Sequence, residues 1–382
     1  MRSHKALLVA ATIAVAAATT PLAAASDGSA GGEVGRYIVV LEPGTASNAV
    51  AGEHARTHGA RIGFVYQHAL KGYSAVIPKA RLAALRADDR VAYVERDGVV
   101  TATAQTLPWG IDKIDADISS TRAGDGSGAV ANVSVYVLDT GVDAKHADLT
   151  VVKHVNFAGG PNRDCHGHGT HVAGTIAAKD NARDVVGVAP GAPITGVKVL
   201  GCGGSGSDSG VVKGIDWVTA NATKPAIANM SLGGGASQAI DDAVRSSAGS
   251  GVFYSVAAGN DGADACNSSP ARAGAGVNNG IMTVAATDSA DRESSWSNYG
   301  SCVDIWAPGV SVLSTKLNGG TSTKSGTSMA APHGGGGGAL HLSGNPSAGP
   351  AAVEVALTGA AQTTGTTSKD SSAINRLYVG VF

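Results

Sequence analysis

The sequence is poor in charged residues and has no excess of basic ones. Charged residues make up 15% of the 382 positions, against about 25% in an average soluble protein. Lys and Arg number 28 and Asp and Glu number 30, which gives a net charge of −2. Nothing in this balance favours the electrostatic attraction on which nucleic-acid binding depends. We therefore expect no nucleic-acid partner.

Cysteine is absent from the first 164 residues, and long apolar runs are absent beyond the N-terminus. The four cysteines are Cys165, Cys202, Cys266 and Cys302. The N-terminal third must therefore fold without disulfides, whereas an even number of cysteines in an exported chain predicts two disulfides without fixing their pairing. No later run reaches the roughly 18 apolar residues of a membrane span, which predicts a mature protein without a membrane anchor.

The N-terminus has the pattern of a cleavable export signal. Arg2 and Lys5 precede the apolar run ALLVAATIAVAAA (6–18), and the small residues 23–25 follow it. This order of charged, apolar and small-residue zones is typical of a secretory signal, and the run is too short to cross a bilayer. We therefore assign residues 1–25 to a signal peptide and expect a secreted, extracellular protein.

A small α/β unit is predicted after the signal. The β-branched and aromatic content of strands recurs in YIVVLE (37–42), GYSAVIP (72–78) and VAYVERD (91–97). The segments between these strands have helical periodicity. Alternation of strands and helices over so short a length predicts a ferredoxin-like α/β sandwich at about 36–100. We assign 26–104 to this N-terminal domain and interpret TATAQT (101–106) as an exposed, cleavable joint.

The remainder, 105–382, predicts a doubly wound α/β domain with a parallel sheet. Continuous apolar runs recur at helix-sized intervals, namely VSVYVL (133–138), ITGVKVL (194–200), AIANMSL (226–232), VFYSVAA (252–258) and IMTVAA (281–286). Continuous rather than alternating apolar strands are typical of a parallel sheet covered on both faces. Ligand sites in such sheets form beyond the carboxyl ends of the strands. Asp139 stands just past the end of the first run.

Three polar residues near these ends occur in the order Asp, His, Ser. Asp139 lies in VLDTGVD, His168 opens the predicted helix of GHGTHVAG, and Ser328 lies in SGTSMAAPH. A serine hydroxyl becomes a good nucleophile when an adjacent base takes its proton. An aspartate, a histidine and a serine together supply that arrangement, so these residues predict nucleophilic catalysis.

Other interpretations fit parts of the pattern. Asp-Thr-Gly is also typical of aspartic proteases, whose second aspartate would be Asp208, but that residue is better explained as an N-cap. A secreted binding protein that has lost catalysis is opposed by the intact polar residues. A zinc hydrolase is the remaining alternative, although helical zinc pairs stand at i and i+4. It would use the cluster of Cys165, His166, His168 and His171.

The motifs VLDTGVD, GHGTHVAG, AAGNDG and SGTSMAAPH resemble the signature blocks of the subtilisin-like (subtilase) serine proteases. Residues 107–382 are most similar to the secreted proteinase K and aqualysin-like subgroup. Residues 36–104 resemble the inhibitor propeptide that precedes such enzymes. The resemblance implies a secreted, monomeric serine endopeptidase that hydrolyses proteins and peptides with broad specificity. It also implies a self-processing zymogen, whose own propeptide is its intramolecular inhibitor, and a catalytic reaction that needs no cofactor.

The resemblance also implies roles for individual residues. Asp139 would orient His168, which would act as general base and then as general acid, while Ser328 would form the acyl-enzyme. Asn260 would donate to the oxyanion beside the backbone N–H of Ser328. Asp304 would be a ligand of a structural calcium ion. Substrate would bind along Ser231, Leu232, Gly233 and Gly234 and along Gly203 and Gly204. The implied disulfides are Cys165–Cys202 and Cys266–Cys302.

The segment after Ser328 departs from the family pattern. In HGGGGGALHL (333–342), Gly334 and Gly335 stand where the family has Val and Ala. A glycine inside a helix costs up to about 1 kcal/mol relative to Ala. A missing buried Val forfeits roughly 1.5–3 kcal/mol more. The sequence therefore predicts a loosely packed helix that Gly334→Val and Gly335→Ala would stabilise.

Overall fold

The computed structural model describes the chain in three stretches, residues 34–98, 105–276 and 278–382. The chain divides into two compact units, 1–101 and 102–382. The predicted signal 1–25 and positions 101–104 of the predicted joint lie outside the described residues. No helix in the described stretches is long and apolar enough to cross a bilayer.

The described residues of the N-terminal unit, 34–98, form four strands and two α-helices. They are β1 (Val34–Leu41), α1 (Ser47–His58), β2 (Arg61–Tyr66), β3 (Gly72–Pro78), α2 (Leu82–Arg86) and β4 (Val91–Arg96). The sheet is antiparallel with the order β2-β3-β1-β4, which is the predicted ferredoxin-like arrangement. Strand β2 has no counterpart in the prediction, because Gly63 lies inside it and its residues do not alternate regularly between polar and apolar. A Cβ at Gly63 would lie 2.7 Å from Ser74 Oγ.

The C-terminal unit contains thirteen strands and six α-helices among its described residues. The helices are α3 (Trp109–Lys113), α4 (His168–Ala177), α5 (Asp208–Asn221), α6 (Gln238–Gly249), α7 (Thr327–Gly344) and α8 (Pro350–Ala360). The strands of the main sheet are β5 (Ser134–Asp139), β6 (Val151–Asn156), β7 (Ile194–Lys198), β8 (Ala226–Met230), β10 (Phe253–Ala257), β12 (Ile281–Thr287), β13 (Ile305–Pro308), β16 (Gln362–Thr367) and β17 (Ala373–Arg376). Two small antiparallel pairs complete it, β9 (Gly234–Gly235) with β11 (Ser268–Ser269) and β14 (Val312–Thr315) with β15 (Thr321–Lys324).

The main sheet is parallel except at one edge. Its order is β16-β17-β13-β12-β10-β8-β5-β7-β6, and only β16 runs antiparallel, to its neighbour β17. From β5 the chain passes to β6 and β7 on one side and then to β8 on the other. The chain direction therefore reverses around β5, which is where doubly wound sheets form their sites.

Apolar cores cover both faces of the sheet, as the continuous apolar strands predict. One core joins the sheet to α4, α7 and α8 through side chains such as Ile176, Leu340 and Leu357. The other joins it to α5 and α6 through side chains such as Ile215 and Val244. The two layers of helices hold the central strands rigidly, so the residues that follow these strands have fixed positions.

Helix α7 is closely packed around its glycine run. A Cβ at Gly334 would lie 2.5 Å from Met282 Cε, and one at Gly336 would lie 2.5 Å from Val188 Cβ. The loose packing predicted at Gly334 is therefore wrong, because neighbouring side chains already occupy the space, and a valine there would require the flexible end of Met282 and Ser255 Oγ to move. Gly335 is less crowded, since its nearest neighbour, Asn229 Oδ1, would be 3.2 Å away, a tight contact that a shift of a few tenths of an ångström relieves.

These distances predict different effects of alanine at adjacent positions. Gly335→Ala should be close to neutral, because the gain of up to about 1 kcal/mol from removing a helical glycine is offset by the small displacement of Asn229 that the methyl group requires. Gly336→Ala should destabilise the protein by roughly 1–3 kcal/mol, because the methyl group overlaps the stiff Val188 side chain. The measurement is the thermal-inactivation half-life of inhibitor-blocked protein, in which self-digestion is stopped. Equal lengthening of the half-life by both substitutions would contradict this packing.

Candidate active site

Asp139 is the last residue of β5, and its side chain is fully buried. The chain turns sharply after it at Gly141, which has a φ of +100°. A Cβ at Gly141 would lie 2.7 Å from His154 Nε2. The turn therefore requires glycine both for its backbone conformation and for the close approach of His154.

His168 is the first residue of α4, and its ring meets the buried aspartate. Its Nδ1 lies 2.8 Å from Asp139 Oδ1 and 2.9 Å from Oδ2. This approach depends on Gly169, where a Cβ would lie 2.1 Å from the Gly141 carbonyl oxygen. The side chain of His168 is 21% exposed, so the ring connects the buried carboxylate with the surface cavity.

The surroundings of His168 change its acidity. Burial alone would lower the pKa of the imidazole, because it penalises the charged form. The charge of Asp139 and its hydrogen bond outweigh that effect and raise the pKa of His168 above its usual value. The geometry therefore gives a histidine that is a stronger base than a free imidazole and has its Nδ1 proton held by a carboxylate.

Ser328 lies in the first turn of α7, and it is tied to the strand segment that follows β8. Its hydroxyl donates to the Ser231 carbonyl at 3.0 Å, and Ser231 Oγ donates in return to the Ser328 carbonyl at 2.8 Å. Asn229 Nδ2 donates to Ser231 Oγ at 2.9 Å. The backbone N–H of Ser328, at a helix N-terminus, is one of the donors that the helix itself leaves unpaired.

Asn260 is oriented by a neighbour that the motifs did not single out. Its Oδ1 accepts from Thr327 N at 2.8 Å and from Thr327 Oγ1 at 3.0 Å. Thr327 Oγ1 in turn accepts from Gly259 N at 3.1 Å. The sequence signal was present, because Thr327 immediately precedes Ser328, but its contact with a distant loop could not be read from it.

A surface cavity of about 480 Å³ brings His168, Asn260 and Ser328 together. The residues predicted to bind substrate also line it: Ser231, Leu232, Gly233, Gly234, Gly203 and Gly204. A second cavity of about 560 Å³ begins beside Ser328 and Asn260 and is walled by residues such as Ala258 and Ser269. Asp139 lies behind the cavity rather than in its wall.

The zinc alternative is wrong in this geometry. Cys165 is bonded to Cys202, and His171 Nε2 lies 3.1 Å from the Val312 carbonyl and 3.0 Å from the Ser322 carbonyl. Burial lowers the pKa of His171 to about 4, which keeps it neutral. The ring therefore serves to join α4 to the β14–β15 pair.

The aspartic-protease alternative also lacks its second residue at the site. Asp208 is exposed in the first turn of α5. The N-cap is its neighbour Ser207, whose Oγ accepts from Gly210 N at 3.2 Å, so the predicted N-cap role of Asp208 is wrong by one residue. Asp139 is paired with a histidine rather than with a second carboxylate.

The cysteines and Asp304 do not line the cavity. The structure joins Cys165 to Cys202 and Cys266 to Cys302, the pairing that the resemblance implies. Asp304 Oδ2 accepts from Thr283 N at 2.7 Å, and burial raises the pKa of this carboxyl to about 8. Among the described residues no cluster of three or more His, Cys, Asp or Glu side chains is suited to a metal ion. A cation at Asp304 would therefore need backbone oxygens for its other ligands.

Comparison with known families agrees with this geometry. Residues 131–379 match the Subtilase family, and residues 36–103 match the family described as peptidase inhibitor I9. The two matches correspond to the two units of the fold. The inhibitor match lies on the ferredoxin-like unit, and the subtilase match contains the whole polar cluster.

Individual relatives are similar over most of the chain. The extracellular serine proteinase of a Thermus species is 44% identical over 85% of this chain and 84% of its own length. Alkaline serine exoprotease A of Vibrio alginolyticus is also 44% identical, but this chain spans only 59% of that protein. The crystal structure of a cold-adapted subtilisin-like serine proteinase is 41% identical with a TM-score of 0.62, over 72% of this chain and 98% of that one. The chain therefore belongs to the subtilase family of serine proteases.

Proposed function

We propose that Ser328 is the nucleophile of this protease, His168 its general base and acid, and Asp139 the residue that orients the histidine. The observation that carries the proposal is the pair of contacts from His168 Nδ1 to the buried Asp139 carboxylate, at 2.8 and 2.9 Å. Because Nδ1 is engaged with Asp139, Nε2 is the ring nitrogen that remains to exchange protons with Ser328, which lines the same cavity. No other histidine in the described stretches is held by a fully buried aspartate at a surface cavity.

The reaction follows from these positions. Ser328 Oγ attacks the peptide carbonyl while His168 Nε2 takes its proton, and the imidazolium then protonates the departing amine. Water then attacks the acyl-enzyme. His168 takes a proton from this water and gives a proton back to Ser328 Oγ as the acyl group leaves. Before substrate binds, the Ser328 hydroxyl donates to the Ser231 carbonyl. Such ground-state contacts are commonly exchanged for the catalytic hydrogen bond when the complex forms.

Two N–H donors are proposed to stabilise the oxyanion. Thr327 donates two hydrogen bonds to Asn260 Oδ1, so the Nδ2 amide remains to donate to another acceptor. The backbone N–H of Ser328, in the first turn of α7, is the second donor. Each donor of this kind is worth about 10²–10³ in turnover, because it strengthens as charge develops on the carbonyl oxygen.

The cavity walls support binding of an extended peptide with broad selectivity. Gly203 and Gly204 lie on one side, and Leu232, Gly233 and Gly234 lie on the other. Glycines expose backbone groups, so a peptide can be held by main-chain hydrogen bonds as an added strand. The residues that line the two cavities include no lysine or arginine. We infer that large apolar or aromatic residues are preferred before the scissile bond.

We infer that the protein is made as an exported zymogen. Residues 1–25 would be the signal, 26–104 the inhibitory propeptide and 105–382 the mature, monomeric protease. The match of 36–103 to a peptidase inhibitor family supports the propeptide, and the name of the Thermus relative supports an extracellular location. The proposed catalytic steps use protein groups alone.

We infer that a structural calcium ion is held at Asp304. Its support is that this half-buried carboxyl has a pKa raised by desolvation and further by the charge of Glu354, so a cation would relieve both effects. Asp304 would be its one side-chain ligand, and calcium accepts backbone carbonyls as the rest of its oxygen shell. The ion would stabilise the fold and take no part in the reaction.

Loss of the nucleophile should stop self-processing. Ser328→Ala should be exported as a chain that still contains residues 36–104, because a protease without its nucleophile cannot cleave its own proposed joint at 101–106. Mass spectrometry and N-terminal sequencing of the purified protein test this. A Ser328→Ala chain that begins near Gln105 would mean that another protease makes the cut.

The raised pKa of His168 predicts where activity begins. The acid limb of kcat/KM should lie above the usual histidine value of about 6.5, because the neutral imidazole is the active form and Asp139 raises its pKa. Asp139→Asn should shift this limb to lower pH and reduce kcat by roughly 10⁴-fold. Asp242→Asn, at a carboxylate that is 65% exposed, is the control. An acid optimum, or a limb that Asp139→Asn leaves in place, would contradict the assignment.

A further inference from the structure

Asp164 is a buried carboxylate close to the cavity but outside its wall. It is 3% exposed and accepts five hydrogen bonds. Its Oδ1 accepts from Thr140 Oγ1 at 3.0 Å, His166 N at 2.9 Å and Gly167 N at 2.8 Å. Its Oδ2 accepts from Thr170 N at 3.0 Å and Thr170 Oγ1 at 2.5 Å. Every one of these donors belongs to the segment that carries Asp139 or to the one that carries His168.

Thr140 links this carboxylate to Asp139. Its backbone N–H donates to Asp139 Oδ1 at 2.6 Å. Its hydroxyl donates to Asp164 and accepts from Gly169 N at 3.0 Å. One continuous set of hydrogen bonds therefore runs from the Asp139 carboxylate through Thr140 and Asp164 to the first turn of α4, which begins at His168.

The charge of Asp164 suits this position. A carboxylate is favourable at a helix N-terminus, where the backbone N–H groups are unpaired, and five donors compensate its burial. Behind it lies Lys198, which is also fully buried. The Lys198 ammonium donates to the Thr140 carbonyl at 2.7 Å and to the Leu200 carbonyl at 2.9 Å. The segment after β5 is therefore held from both sides.

We propose that Asp164 is a positioning residue of the triad, which sets the distance and angle between His168 and Asp139 by binding both of their segments at once. It does not touch substrate. The inference rests on the proposed roles of Asp139, His168 and Ser328. Its physical reason is that a small displacement of a catalytic group can lower turnover by up to about 100-fold.

The charges around His168 allow the role of Asp164 to be tested by the pH dependence of activity as well as by its rate. The titratable and charged groups that act on or lie beside its ring are Asp139, Asp164, Lys324, His166 and His171. Asp139 and Asp164 raise the pKa of His168, whereas Lys324 lowers it. Removal of the Asp164 charge should therefore move the acid limb of kcat/KM to lower pH. A carboxylate that is buried elsewhere in the fold, remote from His168, would not move this limb.

The test uses Asp164→Asn and a matched pair at Thr140. An amide replaces one acceptor oxygen with a donor, so at least one N–H loses its partner. We expect kcat per active site to fall by about 10–100-fold, with KM little changed because Asp164 is outside the cavity wall. Thr140→Val removes the bridging hydroxyl and should also lower kcat. Thr140→Ser keeps the hydroxyl and should recover most of the loss.

Asp148→Asn is the control for loss of a buried carboxylate. Asp148 is fully buried and accepts from Asn181 Nδ2 at 2.7 Å and Val185 N at 3.3 Å, a different set of partners. The Asp148→Asn substitution should lower stability without changing kcat per active site or the acid limb of kcat/KM. Active sites are counted by titration with a fluorophosphonate, and unprocessed variants are first cleaved with the wild-type enzyme.

Unchanged kcat per active site and an unchanged acid limb in both Asp164→Asn and Thr140→Val would overturn the proposal. The pKa of His168 is also measured by NMR in the unprocessed Ser328→Ala chain, with and without Asp164→Asn. This second readout needs no activity, and an equal pKa in the two chains would likewise count against the proposal. Failure of the triad assignment itself would appear separately, as fluorophosphonate labelling of a residue other than Ser328.

Discussion

The site depends on one buried negative charge, the carboxylate of Asp139. A carboxylate without solvent is unfavourable unless its oxygens are hydrogen-bonded and its charge is balanced. Here the neighbouring backbone N–H of Thr140 and the His168 ring provide the hydrogen bonds. When His168 gains a proton during turnover, the buried charge becomes paired. The same interaction thus keeps the aspartate buried and makes the histidine a base.

The sheet and two helix N-termini place the remaining groups around this charge. Asp139 ends β5 at the reversal of strand order, and α4 and α7 begin with or next to the groups that face the cavity. Close backbone approaches make this arrangement fit. Gly169 lets α4 approach the turn after Asp139, and Gly336 lets α7 approach Val188. The glycine-rich composition is in part a consequence of this close packing.

Much of the fold and site could be predicted from the sequence, because both depend on local signals. Continuous apolar runs identified the central parallel strands, and the motifs around Asp139, His168 and Ser328 identified the polar cluster. Contacts between distant segments had no such signal. The roles of Thr327 and Asp164 depend on loops that meet only in the fold, and the space at Gly334 depends on the conformation of Met282. Strand β2 was hidden by its interior glycine.

The most direct test is to find which residue a fluorophosphonate labels and whether the label depends on His168. Peptide mapping by mass spectrometry should place the label on Ser328 in the wild-type protein. The rate of labelling should fall steeply in His168→Ala, because the hydroxyl is a poor nucleophile without its base. Labelling at another residue, or at the same rate without the His168 imidazole, would contradict the proposed mechanism.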